Sequence, residues 1–316
     1  MSRAAVPSGA VSLVVGIAAF AGGLWLLVES VEALIERLRA WALAVGMSGV
    51  VLAALVLGFD VESTAAGVAA TLDDQPGTAL GASIGAAIFL LTFGLGVAAV
   101  IAPFAVRPPA AMLGAALVAT ALCVALAADG ELSRADGAVL LAAFVPLVAA
   151  IVLGRPRDVP GRPAEERPER PRHLVPAVLA ALAGLLIGAE LLVFGTGRVV
   201  DELGFSETVF GLLVVGAAVS FEEVVLEALP AFRGFPELSV GNALGTLVFL
   251  VTGSLGVIVL ARPIDVPPEV TAYHLPALAA SAVLAVALLA RGRLGRPEGA
   301  LLIAAYAAYA AGALLR

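Results

Sequence analysis

Residues 81–97 read GASIGAAIFLLTFGLGV, and residues 241–257 read GNALGTLVFLVTGSLGV. The two stretches align without a gap at an offset of 160 positions, with eight of seventeen residues identical: Gly81/Gly241, Gly85/Gly245, Phe89/Phe249, Leu90/Leu250, Thr92/Thr252, Leu95/Leu255, Gly96/Gly256 and Val97/Val257. The same offset pairs Glu62 with Glu222, Pro76 with Pro236 and Pro103 with Pro263. A self-similarity of this length marks an internal duplication, an arrangement that transporter folds use with the site where the halves meet.

The surroundings of the repeat are membrane-like. Hydrophobic residues make up 61% of the chain and charged residues 14%, with a mean hydropathy of +1.06. Charges are bunched and leave apolar runs of about 20 residues, the length at which an α-helix crosses hydrocarbon. Ten spans are predicted: 10–29, 44–72, 78–101, 109–128, 136–154, 174–196, 208–231, 238–261, 272–290 and 298–315, with the second and seventh, which hold intramembrane acids, expected to be irregular. The fold class is therefore an all-α membrane protein of about ten helices, in two five-helix halves. The first span lacks the flanks of a cleaved signal and reads as a retained helix. Cys123 is the sole cysteine, which excludes an intrachain disulfide. His173 and His274 fall at span edges and read as interfacial residues.

The stretch 155–172, RPRDVPGRPAEERPERPR, carries six arginines and five prolines and divides the chain. Proline at this density disfavours a helix and suits a linker between residues 1–154 and 173–316. The excess of positive charge on cytoplasmic loops places the linker inside. Alternating outward, Arg37, Arg39, Arg107, Arg233, Arg291, Arg293 and Arg296 join the linker arginines, giving 13 of the 18 on that side. Both termini then face out, and a prokaryotic plasma membrane is the expected location. Five spans per half is an odd number, so the second half enters the membrane from the opposite side and the repeats are inverted.

Six acids lie inside the spans, away from their end residues: Asp60 and Glu62 in the second, Glu190 in the sixth, and Glu222, Glu223 and Glu227 in the seventh. Each costs roughly 2.5–3.5 kcal/mol at bilayer depth and faces a cavity or a partner as a rule. The second and seventh spans are equivalent under the repeat, and neither cluster contains an arginine. Unpaired carboxylates around one cavity suit a cation, and hard cations prefer oxygen ligands, which Ser63, Thr64, Ser220 and Thr246 could extend. On a regular helix Ser220, Glu223 and Glu227 share one face, as do Asp60, Ser63 and Thr64, while Glu62 and Glu222 point elsewhere. Glu227, near Pro230, reads as an end-of-span residue at the interface. The G-x-x-x-G rows at 81–85 and 241–245 read as packing, drawing span 3 against span 2 and span 8 against span 7.

This arrangement resembles the cation/calcium exchanger superfamily, whose two inverted repeats each carry G-T-S-x-P-E and, further on, G-N-x-x-G-S-N. The second half reads Ala218-Val219-Ser220-Phe221-Glu222-Glu223, then Gly241-Asn242-Ala243-Leu244-Gly245-Thr246-Leu247; the first reads Gly58-Phe59-Asp60-Val61-Glu62-Ser63, then Gly81-Ala82-Ser83-Ile84-Gly85-Ala86-Ala87. The resemblance implies an ion site at Glu223, Ser220, Asn242 and Thr246, with Asp60 and Ser63 at the corresponding first-half positions. It also departs from the family: Ser63 stands where the family has glutamate, Ala86 replaces the later serine, and Leu90 and Leu250 replace a polar residue one turn on. Internal symmetry pairs Glu62 with Glu222, whereas the family pattern pairs Ser63 with Glu223, and both remain open.

The implied activity is secondary cation antiport by alternating access, with Ca²⁺ and Na⁺ (or H⁺) as the transported ions and no covalent cofactor. The alternatives are a proton-coupled cation carrier and a non-transporting relative that keeps the scaffold. No nucleophile–base set, H-E-x-x-H or phosphate loop points to an enzyme. The expected partners are the cations and the lipid bilayer, not nucleic acid.

Overall fold

The computed structural model describes residues 8–154, 174–203 and 216–315, with side chains left undescribed in a few stretches, chiefly 200–221. The predicted seventh span, 208–231, and the linker therefore lie partly or wholly outside the described residues. Eleven helices account for nearly all the rest: α1 (Ser8–Val45), α2 (Gly49–Val56), α3 (Val61–Leu72), α4 (Pro76–Ile101), α5 (Ala110–Ala127), α6 (Arg134–Leu153), α7 (Leu174–Leu203), α8 (Gly216–Phe232), α9 (Pro236–Ala261), α10 (Val270–Ala290) and α11 (Arg296–Leu314). Among the described residues nine segments are long and apolar enough to cross a membrane, α2 and α3 together making one of them.

One boundary differs from expectation. The first helix does not end near residue 29 but runs to Val45. The charges that suggested an end are accommodated on its far turns: Glu32 pairs with Arg233, and the Arg39 guanidinium lies 4.2 Å over the Phe235 ring. The second span is irregular as expected, and the irregularity is a break. Leu57 closes α2, and Asp60 caps the start of α3.

Duplication is visible in the packing, because several contacts between the halves recur with the partners exchanged. Helix α1 lies on its counterpart α7, with Gly23 against the backbone at Gly188 and Leu192, and Gly188 against Leu27. A Cβ on Gly96 of α4 would stand 2.9 Å from the Gly299 carbonyl of α11; one on Gly256 of α9 would stand 2.9 Å from the Gly137 carbonyl of α6. Those are one crossing made twice, and each needs a glycine for the backbones to meet. Both α4 and α9 also loosen into a π-helical turn at matched positions, Leu90–Gly94 and Phe249–Ser254. Inside them Thr92 and Thr252 donate their hydroxyls back to the carbonyls of Ile88 and Val248. Short strands close the loops: β1 (Glu131–Leu132) pairs antiparallel with β2 (Ile264–Asp265), and Phe104 bridges Leu294 at the equivalent place.

The second glycine row acts across the halves. Gly245 of α9 lies on α2, where an added Cβ would come 2.5 Å from the Ala54 Cα, and Gly241 meets the Val50 carbonyl. The row in span 8 thus seats on span 2, not on span 7 as expected. Helices from both halves share the core around Leu91, Leu95, Leu247 and Leu250.

Candidate cation site

The break between α2 and α3 is set by three residues. Gly58 passes against the main chain of Gly245, where a Cβ would approach the carbonyl carbon to 2.8 Å. Phe59 wedges between Phe144 and Phe249, with ring centroids 5.6 and 5.0 Å away. Asp60 then caps α3: its Oδ1 accepts the Ser63 N–H at 2.8 Å, which satisfies one of the donors a helix start leaves open. Its Oδ2 is buried and has no hydrogen-bond partner. Asp60 therefore presents one oxygen to the fold and keeps the other free. The expected i, i+3, i+4 face of Asp60, Ser63 and Thr64 is replaced by this cap, in which Ser63 contributes its main-chain N–H.

Helix α8 supplies the opposing acids. Glu222 and Glu223 lie within electrostatic range of Asp60 and of Glu62, so carboxylates from both halves repel one another across the interface. Glu222 is buried at 9% exposure, against the expectation that it turns away, whereas its repeat partner Glu62 is exposed. Glu62 also lies within range of Glu190 on α7. None of the ion pairs among the described residues, Glu32–Arg233, Asp74–Arg262 and Glu298–Arg291, touches these acids. Among the described residues, no three His, Cys, Asp or Glu side chains converge tightly enough to hold a metal ion. The cluster is open.

The remaining predicted residues fall into two groups. Asn242 and Thr246 are buried on α9, and the Thr246 hydroxyl donates to the Asn242 Oδ1 at 3.3 Å, so they bond each other next to the glycines that touch α2. Ser220 belongs to α8, but its side chain lies outside the described residues.

Three contacts escaped the sequence reading. Thr64 Oγ1 lies 2.8 Å from Ser254 Oγ and 2.9 Å from the Asp60 carbonyl, tying the α3 cap to α9. The signal was present, since Ser254 is a polar residue where the first half has Gly94. Tyr306 of α11 lies within electrostatic range of Glu223. Glu227 is not interfacial: its side chain is wholly buried, and neither carboxylate oxygen has a partner. Its place near the end of the span suggested the interface; α8 does end close by, at Phe232, but α4 covers the side chain at Gly94.

Apolar helices long enough to span, broken at mid-length and interlocked by a duplication, with acids from both halves at the break, define a membrane transporter of inverted-repeat design. The sodium/calcium exchanger protein family model matches residues 15–153 and 173–315, and the chain belongs to that family. Among curated relatives, a putative antiporter, CaxA, of Alkalimonas amylolytica is 27% identical over 245 residues, covering 73% of this chain and 77% of its own length. The inner membrane protein YrbG of Escherichia coli (strain K12) is 26% identical over 261 residues, covering 78% of this chain and 80% of its own. Among solved structures, the sodium-calcium exchanger NCX_Mj superposes with a TM-score of 0.83 at 24% identity, over 96% of this chain and 100% of that one, a likeness of fold.

Proposed function

We propose that this protein is a secondary active cation antiporter of the sodium/calcium exchanger type, working by alternating access. Glu223 and Asp60 are its central ligands, with Glu222 and Glu62 beside them and Ser220, Ser63, Thr246 and Asn242 as neighbouring oxygen donors. Ca²⁺ is the cargo and Na⁺ or H⁺ the counter-ion. One observation carries this reading: acids from equivalent helices of both halves lie within electrostatic range, and among the described residues no arginine pairs with them.

Mutual repulsion makes the empty cluster unfavourable in an apolar setting, and a bound cation relieves it. Because the acids come from both halves, a cation between them ties the halves together. A rocking of one against the other would carry it from one side to the other. Carboxylates shared by cargo and counter-ion couple the two fluxes, since the site crosses readily only when filled. The linker at 155–172 is assigned to the cytoplasm by its arginines.

Purified protein in proteoliposomes tests the reading. Ca²⁺ uptake should follow an imposed Na⁺ or H⁺ gradient and vanish in Glu223→Gln and in Asp60→Asn. Absence of flux under every gradient refutes antiport; flux surviving both substitutions refutes the site.

A further inference from the structure

Glu227 stands one helical turn beyond Glu223, on the side of α8 nearer Arg233. Its side chain is completely buried, and neither Oε1 nor Oε2 has a hydrogen-bond partner. The carboxylate is aimed at Gly94 in the π-helical turn of α4, and a Cβ there would overlap Oε2. Around it are Ala98, Ala228 and Ala231, with Val97, Val224 and Phe104 packed against them. Ser239 of α9 donates to the main-chain carbonyl of Glu227, not to the carboxylate. Glu223 is the charged group within electrostatic range, and it has the same sign.

The equivalent places in the other crossing are filled differently. Glu227 corresponds to Gly67, whose missing side chain is replaced by the Ile258 Cδ1. Gly94 corresponds to Ser254, whose hydroxyl meets Thr64 at 2.8 Å. One crossing is sealed by an isoleucine and a hydroxyl pair; the other holds an acid facing bare backbone. The acid is therefore a feature of one side only.

A buried polar group without a partner is costly, and a buried charge more so. A neutral carboxyl avoids the charge but still carries an O–H to be satisfied, and neither oxygen has a hydrogen-bond partner. A cation meets both requirements, because it takes oxygen lone pairs and cancels the charge. One carboxylate is neutralised by one monovalent cation, whereas a divalent ion would leave excess positive charge among alanines. We propose that Glu227, facing Gly94 between α8 and α4, is the carboxylate of a Na⁺ site distinct from the Asp60–Glu223 cluster. Gly94 leaves the α4 main chain bare where the ion would sit, and hard cations accept carbonyl oxygens beside carboxylates. The inference rests on reading the chain as a cation carrier, and it adds a station one turn from the central acids.

Calorimetric Na⁺ titration of the purified full-length protein, in a choline buffer free of Ca²⁺, tests this without any gradient. Glu223→Gln should still bind Na⁺, and adding Glu227→Gln should weaken that binding by about tenfold or more. Gly94→Ala, which leaves both acids in place but pushes the carboxylate aside, should weaken it comparably in the same background. If Glu227→Gln proves unstable on size exclusion, Gly94→Ala decides. Na⁺ binding unchanged by either substitution overturns the proposal, and so does loss of all Na⁺ binding in Glu223→Gln alone. Glu227→Gln that alters only the protons exchanged on binding overturns it too, because the site would then carry H⁺. A protein that binds Na⁺ as expected but transports nothing would refute antiport and leave this site standing.

Discussion

Asp60 has two roles that separate cleanly by substitution. Its Oδ1 holds the start of α3 through the Ser63 N–H, and its Oδ2 is left without a partner beside the acids of α8. Asp60→Asn keeps an oxygen for the cap and removes the charge. Asp60→Ala removes both. Losing an N-cap costs about 1 kcal/mol, within a range of roughly 0.5–2 kcal/mol. Removing the charge does the reverse for the ion-free protein, because Glu222 and Glu223 lose a repulsive neighbour. Ion-free Asp60→Asn should therefore melt at or above the wild-type temperature, and Asp60→Ala should melt below Asp60→Asn by a few degrees. Binding follows the other role. A cation deprived of one carboxylate in a desolvated site loses on the order of 2–5 kcal/mol, or roughly thirtyfold to several thousandfold in Kd. Both variants should show that loss in ⁴⁵Ca²⁺ binding to detergent-purified protein. Thermal melts with and without Ca²⁺ complete the comparison, since Ca²⁺ should stabilise the wild type and neither variant. Wild-type Ca²⁺ affinity in Asp60→Asn refutes the ligand role, and equal stability of the two ion-free variants refutes the cap.

Three further outcomes follow from the packing. Gly245→Ala drives a methyl into Ala54 of α2 and should cost roughly 1–3 kcal/mol, read as a lower melting temperature. In a double-mutant cycle, Thr64→Val and Ser254→Ala should show a coupling energy of about 0.5–1.5 kcal/mol; additivity would mean the 2.8 Å contact contributes nothing. Arg162→Cys should react with a membrane-impermeant maleimide only when the cytoplasmic face is exposed, and labelling of intact cells would invert the assigned topology.

The architecture was legible because it depends on quantities that a sequence carries directly. Apolar run length set the spans, and a fixed offset of 160 set the repeat. Local exceptions were legible only in part. Its acids marked span 44–72 as irregular, but the close approach of Gly58 to Gly245 decides where it breaks, and only the tertiary contact reveals that Asp60 is a cap. Helical angles put Glu222 about 100° round α8 from Glu223, but an angle on one helix does not say what packs there, and Glu222 is buried within range of the other acids. Glu227 was misread for a related reason: nearness to the span end suggested the interface, whereas α4 covers the side chain at Gly94. The glycine row at 241–245 was correctly taken as a packing surface, but sequence spacing says which face is small and not which helix comes to it. The partner proved to be in the other half.

That crossed arrangement bears on how the protein is made. Helices α1 to α6 and α7 to α11 each expose the surfaces that the other set covers, so a half synthesised alone has lipid or itself to cover α2, α4 and α9. The chain is in effect two subunits translated as one. What the covalent join secures is stoichiometry: one copy of each sequence, delivered to the same patch of membrane in opposite senses, at an effective concentration that separate genes would have to match by expression. Once the halves were fused, each could change without having to fit a second copy of itself. An acid could then be fixed at Glu227 on one side while its counterpart remained glycine.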